Sequence, residues 1–177
     1  MDMNTLVLIL AATVAAAIPL IFAALGELVV EKSGVLNLGV EGMMVVGAVF
    51  AFMTAAETGQ LWLAVIVGAL AGAGMALMFG FITLSLMANQ VATGLALTIF
   101  GIGLSAFIGQ GYTSVALDGL KEISIPVLSS LPIVGKLLFS YNILVYLAVV
   151  AFVGIWWFLY KSRAGLILRA VGESPSS

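Results

Sequence analysis

Leu61–Leu86 reads LWLAVIVGALAGAGMALMFGFITLSL, without a charged side chain from end to end. A helix crosses a bilayer core in about 20 mostly apolar residues, and this run is longer than that. It does not alternate polar and apolar positions, as a strand of a transmembrane barrel would. Backbone amides find no water in lipid, so the run must satisfy its own hydrogen bonds as a helix. Ala64, Gly68, Gly72, Ala76 and Gly80 recur within it at every fourth position. Small side chains at that spacing let helix backbones approach closely where lipid gives no hydrophobic drive to association. The ladder is therefore expected to face another helix.

The rest of the chain follows the same logic. Of its 177 residues, 63% are apolar and 8% charged, and the mean hydropathy is +1.28. Soluble domains carry about a quarter of their residues as charges. The fold class read from this is all-α, a polytopic transmembrane helical bundle of about five spans in a single domain over residues 1–177. The spans are predicted near 4–25, 35–56, 61–86, 91–109 and 137–160, with 111–136 irregular or lying at the interface. Pro19 is expected to kink or locally unwind the first span. That span is read as retained rather than as a signal peptide, because Asp2 precedes it without Lys or Arg and its apolar run is long.

The second span contains a conflict. Its apolar run, 43–56, is short for a crossing, so part of 35–42 must be drawn into the membrane with Asn37 and Glu41. Gly34, Gly39 and Gly42 relax the backbone there. The segment is expected to break or bend and to turn Asn37 and Glu41 toward the bundle interior, since a lipid-facing carboxylate at depth costs roughly 3 kcal/mol. Asn89, Gln90 and Thr93 begin another span on the same side. Neutral amides and hydroxyls in such a place either hydrogen-bond neighbouring helices or line a polar path.

Several chemistries are excluded. The chain has no Cys and no His, so disulfides, thiolate chemistry, imidazole metal sites and His acid–base catalysis fall away. There is no Gly-Lys-Ser/Thr loop for ATP and no basic patch for nucleic acid. No cofactor or metal is expected. Glu27 and Glu31, four apart, share a face if helical. They are read either as interfacial acids or as a carboxylate-only ion or proton site.

Basic residues set an orientation. Alternating spans place 26–41, 87–90 and 161–177 on one side with Lys32, Lys161, Arg163 and Arg169, against Lys121 and Lys136 on the other. Retention of positive charge in the cytoplasm puts the C-terminus there and the N-terminus outside. Trp156, Trp157 and Tyr160 precede the final bases, as aromatic side chains at a headgroup zone do.

At this point a family resemblance emerges. Glu31-Lys32-Ser33-Gly34-Val35-Leu36-Asn37-Leu38-Gly39-Val40-Glu41-Gly42-Met43-Met44, with Gly47-Ala48 after it, resembles the first motif of permease subunits of bacterial ABC importers for nucleosides and simple sugars, within the wider ribose and branched-chain amino acid permease group. Asn89-Gln90-Val91-Ala92-Thr93-Gly94-Leu95-Ala96-Leu97 resembles the next motif. Ile125-Pro126-Val127-Leu128 and Leu131-Pro132-Ile133-Val134-Gly135 resemble the external loop. Gly165-Leu166-Ile167-Leu168-Arg169-Ala170-Val171-Gly172-Glu173-Ser174-Pro175 resembles the cytoplasmic stretch leading into the coupling helix, with Ile167 where a base is common and Ser174 where Asn is usual.

The resemblance implies a non-enzymatic transport subunit of an ATP-driven importer in the bacterial inner membrane. It implies as partners a second permease subunit, cytoplasmic ATP-binding subunits and an external solute-binding protein. It assigns Gly165, Arg169, Gly172, Glu173 and Pro175 to the ATPase coupling region. Members of the family continue through the coupling helix and further spans, so the chain is expected to be the N-terminal part of a longer architecture. Physical logic adds that neutral hydrogen-bonding residues suit a neutral polyhydroxylated solute better than an anion, which favours cations or helix N-termini. Two other readings stand beside this one: an ion-coupled secondary transporter using Glu41, and a non-transporting membrane fragment.

Overall fold

The computed structural model describes residues 3–120, 123–124 and 140–174. It is helical in α1 (Met3–Lys32), α2 (Val40–Thr58), α3 (Leu61–Gly80), α4 (Gln90–Gly109), α5 (Ile143–Lys161) and α6 (Arg163–Glu173). Among the described residues five stretches are long and apolar enough to cross a membrane: Thr5–Lys32, Val40–Thr58, Leu61–Ser85, Gln90–Tyr112 and Ile143–Lys161. The five expected spans are all present, with shifted ends.

The largest shift is in α1, which runs to Lys32 and carries Glu27 and Glu31 on its last turns. The helix outlasts its apolar run because its terminator lies beyond the charges. Gly34 adopts φ +83°, its N–H bonds the Glu31 carbonyl at 2.9 Å, and the Val35 N–H bonds the Val30 carbonyl at 3.3 Å. That pair of bonds around a left-handed glycine closes a helix C-terminus. The expected unwinding at Pro19 does not occur, as α1 passes through it as a continuous helix. Pro19 is exposed, and its missing N–H removes one intrahelical hydrogen bond.

Residues 35–39 are non-helical and α2 starts at Val40, not at 35. The expected break is real. With 19 residues, α2 is about 28 Å long and crosses without help from that segment. At the far end of α3 the helix widens into a π-turn over Phe81–Ser85, with the Leu86 N–H on the Phe81 carbonyl at 3.2 Å. Met87 then takes φ 54° and Asn89 caps α4 by accepting from the Ala92 N–H at 3.0 Å.

The connection after α4 is largely irregular where it is described, over 113–120, as expected, with one short pairing added. Ile123–Ser124 (β1) pairs antiparallel with Ser140–Tyr141 (β2). The pairing joins the two ends of a long connection between α4 and α5. Lys121, Lys136 and the Pro126 and Pro132 motifs lie outside the described residues. α5 begins at Ile143, later than the expected 137, because Asn142 caps it by accepting from the Val145 N–H at 3.4 Å.

The chain divides into two compact units, residues 1–29 with 120–170 and residues 30–119 with 171–177. In the first, Ile18, Tyr141, Val145 and Ala148 form a buried cluster with Ala11 and Phe22 against it. Burial there, together with the nearby Tyr146, raises the pKa of the Tyr141 phenol. In the second, Met43 and Val46 pack with Met75, Phe79 and Leu97, so α2 packs against both α3 and α4. Outward-facing positions stay apolar, as at Leu77, Ile99 and Val150, which suits lipid rather than water.

Candidate functional site

An apolar cleft of about 620 Å³ between α1 and α5 is lined by Ile18, Leu25, Val145, Phe152 and other aliphatic side chains. It offers a polar solute no partner. Polar groups gather instead around residues 33–39 of the second unit.

Three side chains secure the non-helical backbone there. Gln90, at the start of α4, accepts from the Leu36 N–H at 2.8 Å. Thr98, two turns further along α4, donates to the Leu38 carbonyl at 3.0 Å. Asn37 accepts from the Gly39 N–H at 2.9 Å and places its amide nitrogen 3.7 Å from the Met43 sulfur. Buried non-helical backbone must find hydrogen-bond partners within the protein, and these bonds supply them. The segment contacts α4 from Gln90 to Thr98, a rise of about 12 Å along the helix.

Close contact is possible only because glycines face it. A Cβ on Gly94 would stand 2.8 Å from the Leu38 nitrogen and 2.9 Å from the Gly39 nitrogen. One step deeper, α2 crosses α4 at Gly42 and Gly101, where a Cβ on Gly101 would lie 2.6 Å from the Gly42 carbonyl oxygen. Asn37 and Thr93 are buried, Gln90 is half-buried and Asn89 is exposed at its capping position. Glu41 does not join them. It is exposed in the first turn of α2, where a carboxylate gains from the positive end of the helix and from solvation without entering the glycine-lined contact. Thr98 and Gly94 were not singled out from the sequence, since Thr and Gly within an apolar run look like packing residues.

The α3 ladder divides. Ala64 and Gly68 are buried, and a Cβ on Gly68 would meet Ala51 and the Gly47 carbonyl at 2.8 Å. On Gly72 it would lie 3.7 Å from the Met43 carbonyl. Ala76 is exposed and Gly80 has open space before it, because α2 stops facing α3 at its own start.

Gly165, Arg169, Gly172 and Glu173 all fall on α6, and Pro175 lies outside the described residues. Gly165 is buried against the Phe158 carbonyl and Leu159. Gly172 lies against the backbone of Lys32, Ser33 and Gly34. The Arg169 guanidinium sits 5.1 Å from the Tyr160 ring centroid, and Glu173 is exposed.

Comparison with known proteins identifies a family. A permease protein named for glucose ABC transport in Haloferax volcanii is 44% identical over 94% of this chain and 52% of its own length. A nucleoside ABC transporter permease of Lactococcus lactis is 34% identical over 98% of this chain and 58% of its own. A guanosine ABC transporter permease of Bacillus subtilis is 34% identical over 95% and 56%. The chain thus spans about half the length of these curated relatives. No solved structure matches it. The model of the branched-chain amino acid transport system permease component family covers residues 9–177, and this multi-pass membrane chain belongs to that family.

Proposed function

We propose that the chain forms part of the transmembrane permease of an ATP-driven importer for a small neutral solute, a sugar or nucleoside. The observation that carries this reading is the helix break at 33–39, packed on α4 and secured by the neutral side chains of Asn37, Gln90 and Thr98. In this reading the non-helical connection between α1 and α2 presents backbone groups and neutral side chains to a solute where two candidate spans meet. The side chains that hold this segment, Asn37, Gln90 and Thr98, are neutral, and a neutral hydrogen-bonding solute fits them. The names of the relatives, glucose, nucleoside and guanosine permeases, point to the same class.

In this reading Asn37, Gln90 and Thr93 shape the path, and Asn89 and Glu41 stand at its rim. The domain is a single permease domain in the plasma membrane with the N-terminus outside and the C-terminus cytoplasmic. Its partners are a second permease subunit, ATP-binding subunits that hydrolyse ATP, and a solute-binding protein. The 165–175 stretch belongs to the coupling region. The test is uptake of radiolabelled nucleosides and glucose by the full-length protein reconstituted with its ATPase. Asn37→Ala and Gln90→Ala are expected to lower uptake at least tenfold at unchanged protein level. Wild-type uptake in both would remove the path from this segment, and uptake driven by an ion gradient without ATP would replace the reading.

A further inference from the structure

The end of α5 and the start of α6 carry a feature that transport does not explain. Ser162 breaks the helix with φ −94° and ψ 151°. Its hydroxyl donates to the Phe158 carbonyl at 2.6 Å and accepts from the Gly165 N–H at 3.0 Å, so one side chain ends α5 and caps α6. The new helix does not move away from the membrane. Gly165 rests on Phe158 and Leu159, about a turn before the break, and Leu159 is wholly buried. That places the first turn of α6 level with Trp156, Trp157 and Tyr160, residue types that collect at the headgroup zone. Arg169, stacked on Tyr160, holds it there.

Against that backing α6 has two unlike faces. Gly165, Arg169 and Gly172 lie toward the protein, while Leu166, Ile167 and Val171 are 59%, 63% and 55% exposed. Arg163 is exposed beside them, and the Lys161 ammonium lies 5.9 Å from the Trp156 ring centroid. An amphipathic helix with an apolar outer face, aromatic neighbours and bases at one depth matches a membrane interface, where acyl chains take the apolar face and phosphates take the cations.

We propose that α6 is an interfacial helix, with Leu166, Ile167 and Val171 seated at the headgroup–acyl boundary of an anionic leaflet and Lys161 and Arg163 on its phosphates. This rests on the spans and not on the transport reading.

The chain has no cysteine, so an environment-sensitive fluorophore can be placed by Ile167→Cys, with Gln60→Cys as an exposed loop control. The labelled chain is reconstituted in vesicles of phosphatidylcholine with or without phosphatidylglycerol. The Ile167 probe is expected to emit to the blue of the Gln60 probe. It should be quenched several-fold more by spin-labelled lipid than by aqueous iodide, and the preference should grow with phosphatidylglycerol. Lys161→Gln with Arg163→Gln should abolish that growth and leave lipid quenching in place. Iodide quenching equal to that at Gln60 overturns the proposal. Protection from both quenchers overturns it too, since a protein surface such as the ATPase or the rest of the permease would then cover the face. Unchanged phosphatidylglycerol dependence in the double variant overturns the phosphate contacts.

Discussion

Gly94 and Gly103 lie on one helix in the same apolar run, yet they answer to different constraints. Adding a methyl to Gly94 sets it 2.8 Å from backbone that is itself hydrogen-bonded to Gln90 and Thr98, so nothing nearby can give way. Gly94→Ala should destabilise by about 1–3 kcal/mol, exceeding any gain in helix propensity. Gly103 has nothing within 4 Å, and Gly103→Ala should stabilise by about 0.5–1 kcal/mol. Thermal unfolding of the detergent-purified protein, followed by circular dichroism, should show the two variants moving in opposite directions. Asn37 offers a second contrast. Asn37→Ala leaves the Gly39 N–H without its acceptor, at a cost of about 1–3 kcal/mol. Asn37→Asp keeps the acceptor but buries a charge, so the same melt should place Asp below Ala and both below wild type. The sequence pointed to Asn37 because an amide among glycines in a short span must find its hydrogen-bond partners within the protein. It could not place Glu41, because proximity in sequence says nothing of which side of α2's first turn a residue occupies.

At the scale of elements, run length and bilayer thickness located all five spans, while their ends depended on local hydrogen bonds. α1 outruns its apolar stretch to reach the glycine terminator at Gly34, and α5 waits for the Asn142 cap. The α3 ladder shows the limit of periodicity most clearly. A four-residue repeat identifies a helix face but not how far a partner extends along it. Gly68 meets α2 at 2.8 Å, whereas Gly80 meets nothing within 4 Å. Gly68→Leu should therefore force α2 and α3 apart at a cost of several kcal/mol, with Gly80→Leu close to neutral in this chain. Comparing the yield of monodisperse protein for the two variants checks this, and equal losses would mean that a further helix covers Gly80. The β1–β2 pairing was illegible for a different reason. Two residues carry no period, and their partnership spans a long connection that local sequence does not encode.

At the scale of the whole molecule the open quantity is direction: if the five candidate spans among the described residues all cross, the two ends of this chain lie on opposite sides. Among the described residues the bases are Lys32, Lys161, Arg163 and Arg169. Lys32 ends α1, while Lys161 ends α5 and the two arginines follow it. Alternation puts the ends of α1, α3 and α5 on one side and the α2–α3 turn on the other. Positive charge near span ends is held in the cytoplasm, so Met87, after α3, should face inward and Gln60, before α3, outward. The absence of cysteine makes this directly measurable. Both sites are exposed, so single Met87→Cys and Gln60→Cys variants should label equally well in detergent. In intact cells a membrane-impermeant maleimide should react with Cys at position 60 and reach position 87 only after lysis. The reverse pattern would turn the molecule over and place α6 outside, away from any cytoplasmic ATPase. Labelling of both sites in intact cells would mean that α3 does not cross at all, and the five-span scheme would fail with it.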